Sequence, residues 1–205
     1  MVSFDAALAA PDDGTALTAW LMDPAAELPG ADPRLDHQLS PPQAVDAATL
    51  RTLGVLSWRL PVDAAGTPAR LAAIRAARGY NYADAITLDG RALEPGAYAA
   101  KLAMFYAEHL HSDEEVRYVT GGCGFFDVRG GAGEAAPWVR IRCAPGDCIV
   151  LPAGCYHRFT PDAGDLVAAT RLFQGEPVWL PIAKGPEGDG HAARAAYLAE
   201  LAARG

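Results

Sequence analysis

Three histidines and one glutamate carry the chemistry that this sequence can offer. The segment Glu108-His109-Leu110-His111-Ser112-Asp113-Glu114-Glu115-Val116-Arg117-Tyr118 holds two imidazoles, a carboxylate and a guanidinium at alternate-residue spacing. Alternate side chains of a strand share a face, so His109 and His111 point together, and Glu115 and Arg117 keep that parity if the turn between preserves it. A second segment, Gly146-Asp147 through Leu151-Pro152-Ala153-Gly154-Cys155-Tyr156-His157-Arg158-Phe159, supplies a tight turn and then one more histidine. Three neutral imidazoles with one carboxylate suit iron, nickel, manganese or zinc. Four protein ligands on an octahedral ion leave two positions open for a chelating substrate or an oxygen species, which a closed structural zinc site does not offer.

The elements that must position these groups change period along the chain. After an apolar piece around Ala19 to Met22, Asp23 to Pro42 reads as loop. A short helix is expected from Asp46 through Leu50 and Leu53 to Gly54, followed by a strand over 55–60. Thr67 and Pro68 open a second helix in which Leu71 and Ile74 share a face and Gly79 is the stop. A strand over 82–88 comes next, and Tyr98, Leu102 and Phe105 recur at helical spacing just before His109. From there the period is two, with strands near 109–119, 124–129, 138–143, 147–152, 155–160 and 166–173, each bounded by Gly, Pro or Asp. Short strands without helical spacers predict an antiparallel sandwich or barrel. Ala192 to Ala203 predicts a closing surface helix. The expected organisation is one domain over 1–205: an N-terminal helical and strand arm (1–95), a metal-binding barrel core (96–180) and a tail helix (181–205).

Composition narrows the function. With 25 acidic against 17 basic residues the net charge is −8, which repels a phosphate backbone and argues against nucleic acid as a partner. No apolar run reaches the roughly 18 residues that a spanning helix needs, and no basic leader precedes an apolar stretch, so neither a membrane nor secretion is expected. Cys123, Cys143, Cys148 and Cys155 form no C-x-x-C pair, which fits a reducing cytoplasm.

The spacings His109-x-His111-x3-Glu115-x6-Gly122 and Gly146-x5-Pro152-x-Gly154-x2-His157 resemble the two cupin motifs. A closer resemblance covers roughly residues 19 to 180. Met104-Phe105-Tyr106, Glu108-His109-Leu110-His111, Glu114 to Tyr118, Gly124 to Arg129, Trp138 to Ile141, Leu151 to Gly154, Tyr156 to Thr160, Arg171 to Phe173 and Gly175 to Trp179 are similar to the acireductone dioxygenase family, as are Ala19 to Asp23 and Leu53 to Trp58 upstream. The resemblance implies a mainly β fold with flanking helices: a cupin antiparallel β-barrel, or jelly roll, with an N-terminal helical arm. It departs in an N-terminal extension, a Gly/Ala loop over 130–137, and Cys123 and Cys155 inside matching motifs.

The resemblance further implies that His109, His111, Glu115 and His157 bind one Fe(II) or Ni(II) per chain. It implies oxidation of 1,2-dihydroxy-3-keto-5-methylthiopentene by dioxygen in methionine salvage, by a cytoplasmic monomer. The iron form gives 4-methylthio-2-oxobutanoate and formate; the nickel form gives 3-(methylthio)propanoate, carbon monoxide and formate. A divalent ion less one carboxylate leaves about one positive charge, so a dianionic substrate wants a second cation, and Arg117 fits that catalytic role. By resemblance, Glu108 is an outer partner or base, Arg171 contacts the substrate side, and Phe105 and Phe159 wall its hydrophobic end.

Each of these residues also has a plainer reading. Arg117 and Arg171 fit structural ion pairs. Phe105, Phe159 and the four tryptophans Trp20, Trp58, Trp138 and Trp179 fit packing. Cys155 shares the parity of His157 and reads as a buried thiol. Asp113 and Glu114 read as a solvated turn, and His37 and His191 as exposed side chains. The competing functional readings are a non-catalytic metal-binding cupin that acts as a sensor, and another cupin dioxygenase or isomerase.

Overall fold

The computed structural model describes residues 17–62, 69–131, 133, 135–177 and 180–204. Among them, eleven strands form two antiparallel sheets: β1 (Thr18–Leu21), β2 (Leu56–Arg59), β3 (Tyr82–Asp89), β4 (His109–Leu110), β5 (Glu115–Gly122), β6 (Gly124–Arg129), β7 (Trp138–Cys143), β8 (Asp147–Leu151), β9 (His157–Pro161), β10 (Leu166–Phe173) and β11 (Ile182–Ala183). One sheet runs β1-β7-β6-β9-β4-β11 and the other β2-β8-β5-β10-β3. The helices are α1 (Ala47–Thr52), α2 (Ala69–Arg78), α3 (Pro95–Tyr106), α4 (Pro186–Asp189) and α5 (Ala192–Arg204), with a 3-10 turn over Pro24–Glu27. No described helix is long and apolar enough to cross a membrane.

Local chemistry sets the helix ends. The Asp46 side chain accepts the Thr49 N–H at 2.7 Å and caps α1. Gly79, at φ 72°, ends α2 in the left-handed region where glycine carries no Cβ penalty. The expected cap Thr67 and Pro68 lie outside the described residues.

Strand parity then divides the core. In β5, Val116 and Tyr118 face outward and join Trp58, Cys148, Val150 and Leu172 beneath Leu71 and Ile74 of α2. Burial of such an aliphatic side chain contributes roughly 1.5–3 kcal/mol, which is why α2 stays on the sheet. The opposite parity, including Val119, Ile149, Leu151 and Val167, meets Phe126, Val128, Val139 and Ile141 of the other sheet. β8 is therefore buried on both faces and reads as an unbroken apolar run after Asp147.

The structure departs from expectation at several places. The expected strand 109–119 is two strands in different sheets, because the residues between His111 and Glu114 turn across the gap. The strand expected from 155 begins at His157, since Gly154 and Cys155 belong to a turn. Within the expected loop 23–42, Asp23 caps the 3-10 turn through the Ala25 N–H. β11 and α4 are too short to leave a periodic signal. Residues 18–89, expected within an N-terminal arm, contribute β1 to one sheet and β2 and β3 to the other. α5 is the expected surface helix, packed through its buried Arg194 and Tyr197 with its other residues exposed or half-buried.

Candidate metal centre and substrate pocket

Both sheets deliver ligands to one point. His109 on β4 and His157 on β9 are direct register partners in the six-stranded sheet. Glu115 opens β5 in the other sheet, and His111 lies in the turn between. One ligand atom from each of His109, His111, Glu115 and His157 lies within 4.8 Å of the others, and His109, Glu115 and His157 are buried.

Backbone carbonyls fix two of the rings. His109 Nδ1 lies 2.7 Å from the Ala107 carbonyl and His157 Nδ1 lies 2.8 Å from that of Cys155. A carbonyl only accepts, so each Nδ1 carries the hydrogen and each Nε2 presents a lone pair to the centre when the ring is neutral. His157 Nε2 faces Glu115 Oε2 at 2.7 Å, and His111 Nε2 faces the same oxygen at 3.4 Å. Burial pushes the Glu115 carboxyl up, but the charges of Arg117 and His157 and the hydrogen bonds of His111 and His157 outweigh it and hold it well below the usual carboxylate range. A cation belongs between that ionised oxygen and the imidazole nitrogens, a proton on His157 Nε2 in the metal-free chain or a metal ion in its place, and the donor set fits a metal ion. Burial, with His157 beside it, pushes His109 down to about 4, so its ring is neutral and free to ligate at neutral pH.

The centre opens into a cavity of about 300 Å³. His109, His111, Glu115 and Arg117 lie at its polar end, while Ile86, Leu88, Val119, Phe126, Val167 and Phe173 are among its apolar walls. Arg117 pairs with Glu115 Oε1 at 2.9 Å. Arg171 sits opposite Arg117 in the sheet register and makes two hydrogen bonds to Asp84, at 2.8 and 2.6 Å.

The sequence model of the ARD/ARD′ family matches residues 18–181 of this chain. The chain belongs to that family. It is 46% identical over 182 residues to acireductone dioxygenase 2 of Physcomitrium patens, covering 89% of this chain and 88% of the relative. It is 47% identical over 163 residues to the acireductone dioxygenase of Rattus norvegicus, covering 80% and 86%. The fold is similar to that of an acireductone dioxygenase from Bacillus anthracis with a cadmium ion in its active centre, with a TM-score of 0.58, 22% identity, and coverage of 82% of this chain and 99% of that one.

In this member of the ARD/ARD′ family, Phe105, Phe159, Arg117 and Arg171 all line the cavity with three of the four metal-site candidates, and His157 lies behind them at 1% exposure. Phe105 and Phe159 meet edge to face, with ring centroids 6.4 Å apart. Glu108 has ion-pair partners of its own. Its carboxylate holds Arg129 at 3.1 and 2.8 Å and Lys184 at 3.6 Å, and it is not among the cavity-lining residues. These contacts tie the residue before β4 to β6 and to the residue after β11.

Some other side chains fall outside their expected places. Glu114, expected in a solvated turn, is half-buried, lines the cavity and pairs with Arg78. His37 is half-buried with Nε2 2.6 Å from the Asp32 carbonyl, and His191 Nδ1 accepts the Ala193 N–H at the start of α5. Cys155 is buried as expected, and Trp179 lies outside the described residues. The sequence reading missed Asp84 and the walls Ile86 and Leu88. The signal was the period of two in β3, where Tyr82, Asp84, Ile86 and Leu88 share the less exposed face.

Proposed function

We propose that the chain is a metal-dependent acireductone dioxygenase whose metal ligands are His109, His111, Glu115 and His157. The observation that carries this reading is the convergence of His109, His111, Glu115 and His157, with ligand atoms within 4.8 Å of one another beside an apolar cavity, in a chain of this family. The metal is Fe(II) or Ni(II), and the substrate is the enediol 1,2-dihydroxy-3-keto-5-methylthiopentene of methionine salvage. A bound divalent ion supplies a Lewis acid and a template for the chelating enediolate and dioxygen.

The chain's own residues supply the rest. The carbonyls of Ala107 and Cys155 hold two imidazoles in one tautomer, so their lone pairs need no reorganisation during turnover. Arg117 places a positive charge beside Glu115, where the substrate's anionic oxygens must lie, and Arg171 adds a second guanidinium across the sheet. Phe105, Phe159 and Phe126 offer an apolar wall to the methylthio end and keep bulk water from the reacting carbons. Atoms balance for both outcomes. Substrate plus dioxygen equals 4-methylthio-2-oxobutanoate plus formate with iron, or 3-(methylthio)propanoate plus carbon monoxide plus formate with nickel. The four free thiols are buried, and burial raises the pKa of each, which suits a reducing cytoplasm; we take the enzyme to work there as a monomer.

Glu115→Ala tests the assignment. The variant should lose bound metal and aerobic consumption of the acireductone together; full turnover by Glu115→Ala would remove this centre from the reaction.

A further inference from the structure

His111 is the candidate ligand with the least support of its own. It lies outside any strand, and its ring lacks the carbonyl contact that fixes His109 and His157 among the described residues. The turn that carries it crosses from one sheet to the other, so neither ladder holds it. Two outside contacts do. At one end the Gly154 N–H donates to the His111 carbonyl at 2.9 Å. At the other end the Tyr80 hydroxyl donates to Glu114 Oε2 at 2.5 Å, and Arg78 pairs with Glu114 Oε1. Arg78 Nε also donates to the Tyr80 hydroxyl at 2.6 Å, which closes a three-membered network.

That network reaches back into rigid structure. Arg78 ends α2, its carbonyl accepts from Gln174 at 2.7 Å, and Arg75 Nε donates to the Tyr80 carbonyl at 3.2 Å. The Tyr80 ring is 3% exposed and belongs to the cluster that fastens α2 to the sheet. The side-chain exposures of Arg78 and Glu114 are 10% and 21%, so solvent screens this pair far less than an exposed one. Glu114 is adjacent in sequence to Glu115 and three residues from His111, so any play in it is passed to two ligands at once.

We propose that Arg78, Tyr80 and Glu114 are positioning residues for the metal centre, holding the β4–β5 turn so that His111 converges with Glu115. The network braces the turn from the C-terminal end of α2 and fixes the ligand loop as a hydrogen-bond partner fixes a ligand ring. This inference rests on the metal-site reading above.

The test measures Ni(II) affinity by competition with a chromophoric chelator, and the absorption spectrum of the Co(II)-loaded protein. It compares wild type with Tyr80→Phe, Glu114→Ala and Glu114→Gln, and follows thermal unfolding of each metal-free protein. Tyr80→Phe keeps the buried ring and removes only the hydroxyl, so its metal-free melting temperature should stay close to wild type. The expected result is Ni(II) affinity lower by about tenfold or more in Tyr80→Phe and Glu114→Ala, an altered Co(II) spectrum, and substantial recovery in Glu114→Gln, which keeps an acceptor. Wild-type affinity and spectrum in both weakened variants would overturn the inference, as would a loss of melting temperature with unchanged affinity. A wild-type chain that takes up no Ni(II) would overturn the metal-site reading and this inference with it.

Discussion

Arg117 on β5 and Arg171 on β10 are direct cross-strand partners on the inner face of their sheet, and each has its own carboxylate, Glu115 and Asp84 respectively. Two guanidiniums placed opposite each other repel, and the flanking carboxylates offset that repulsion. The pairs are not equivalent. Glu115 is also a candidate metal ligand, so a bound cation draws on its charge and leaves Arg117 the more available for an anion, whereas Asp84 stays committed to Arg171.

Arg117→Ala should therefore keep stoichiometric metal and lose transition-state stabilisation, with kcat/KM falling by about a hundredfold or more. Metal analysis beside steady-state kinetics checks this. An unchanged kcat/KM would remove Arg117 from the reaction.

His157→Ala is expected to behave differently. It removes the candidate ligand at 1% exposure whose Nδ1 faces the Cys155 carbonyl, and three ligands would hold such an ion poorly. Metal and activity should fall together. Full metal occupancy in purified His157→Ala would exclude it from the centre.

The metal-free protein should weaken in mild acid. Burial, with His157 beside it, pushes His109 from 6.5 down to about 4. Well above pH 6.5 both folded and unfolded chains hold a neutral ring, and the group contributes no slope. Between 6.5 and 4 the unfolded chain takes up a proton that the folded one refuses, so stability falls as pH falls, by roughly 3 kcal/mol in all. Depressed carboxylates such as Glu115 act over a lower range, since the unfolded carboxyl is half protonated only at 4.5, and most of their loss lies below that pH. Urea unfolding at intervals from pH 7 to 4.5 should show a smaller loss in His109→Gln than in wild type; parallel losses would contradict this assignment.

A fourth expectation concerns the outer face of the six-stranded sheet. Asp127, with no exposure, accepts Arg140 at 2.7 and 2.8 Å and Arg158 at 2.9 Å, while Arg140 stacks over Phe125 and Arg158 over Tyr106. Asp127→Ala removes the carboxylate shared by two buried guanidiniums, leaving Arg158 with Glu27 and Arg140 with the Pro33 and Leu35 carbonyls and the Tyr106 hydroxyl, and should cost about 3–5 kcal/mol in denaturant unfolding, with the candidate metal centre largely unaffected in whatever folds. A loss under 1 kcal/mol would show that solvent reaches this cluster.

Much of the site was legible because its chemistry is periodic. His109, Glu115, Arg117 and Arg171 sit on strands whose inward parity follows from counting by two, and His157 follows a glycine turn that sequence marks well. What counting could not reach was carried by contacts distant in sequence. The turn between His111 and Glu115 is held by contacts from Gly154 and Tyr80, and Glu108 is paired with Arg129. Neither partner is implied by the local pattern. The same holds for β11, whose two residues become a strand only because β4 lies beside them.

The most direct measurement strips the protein of metal, reloads it separately with Fe(II) and Ni(II), and follows aerobic loss of the acireductone while the carbon products are identified. Both loaded forms should consume substrate well above the metal-free protein, with the keto acid and formate from iron, and 3-(methylthio)propanoate, carbon monoxide and formate from nickel. Loaded forms that consume the acireductone no faster than the metal-free chain would contradict the dioxygenase reading.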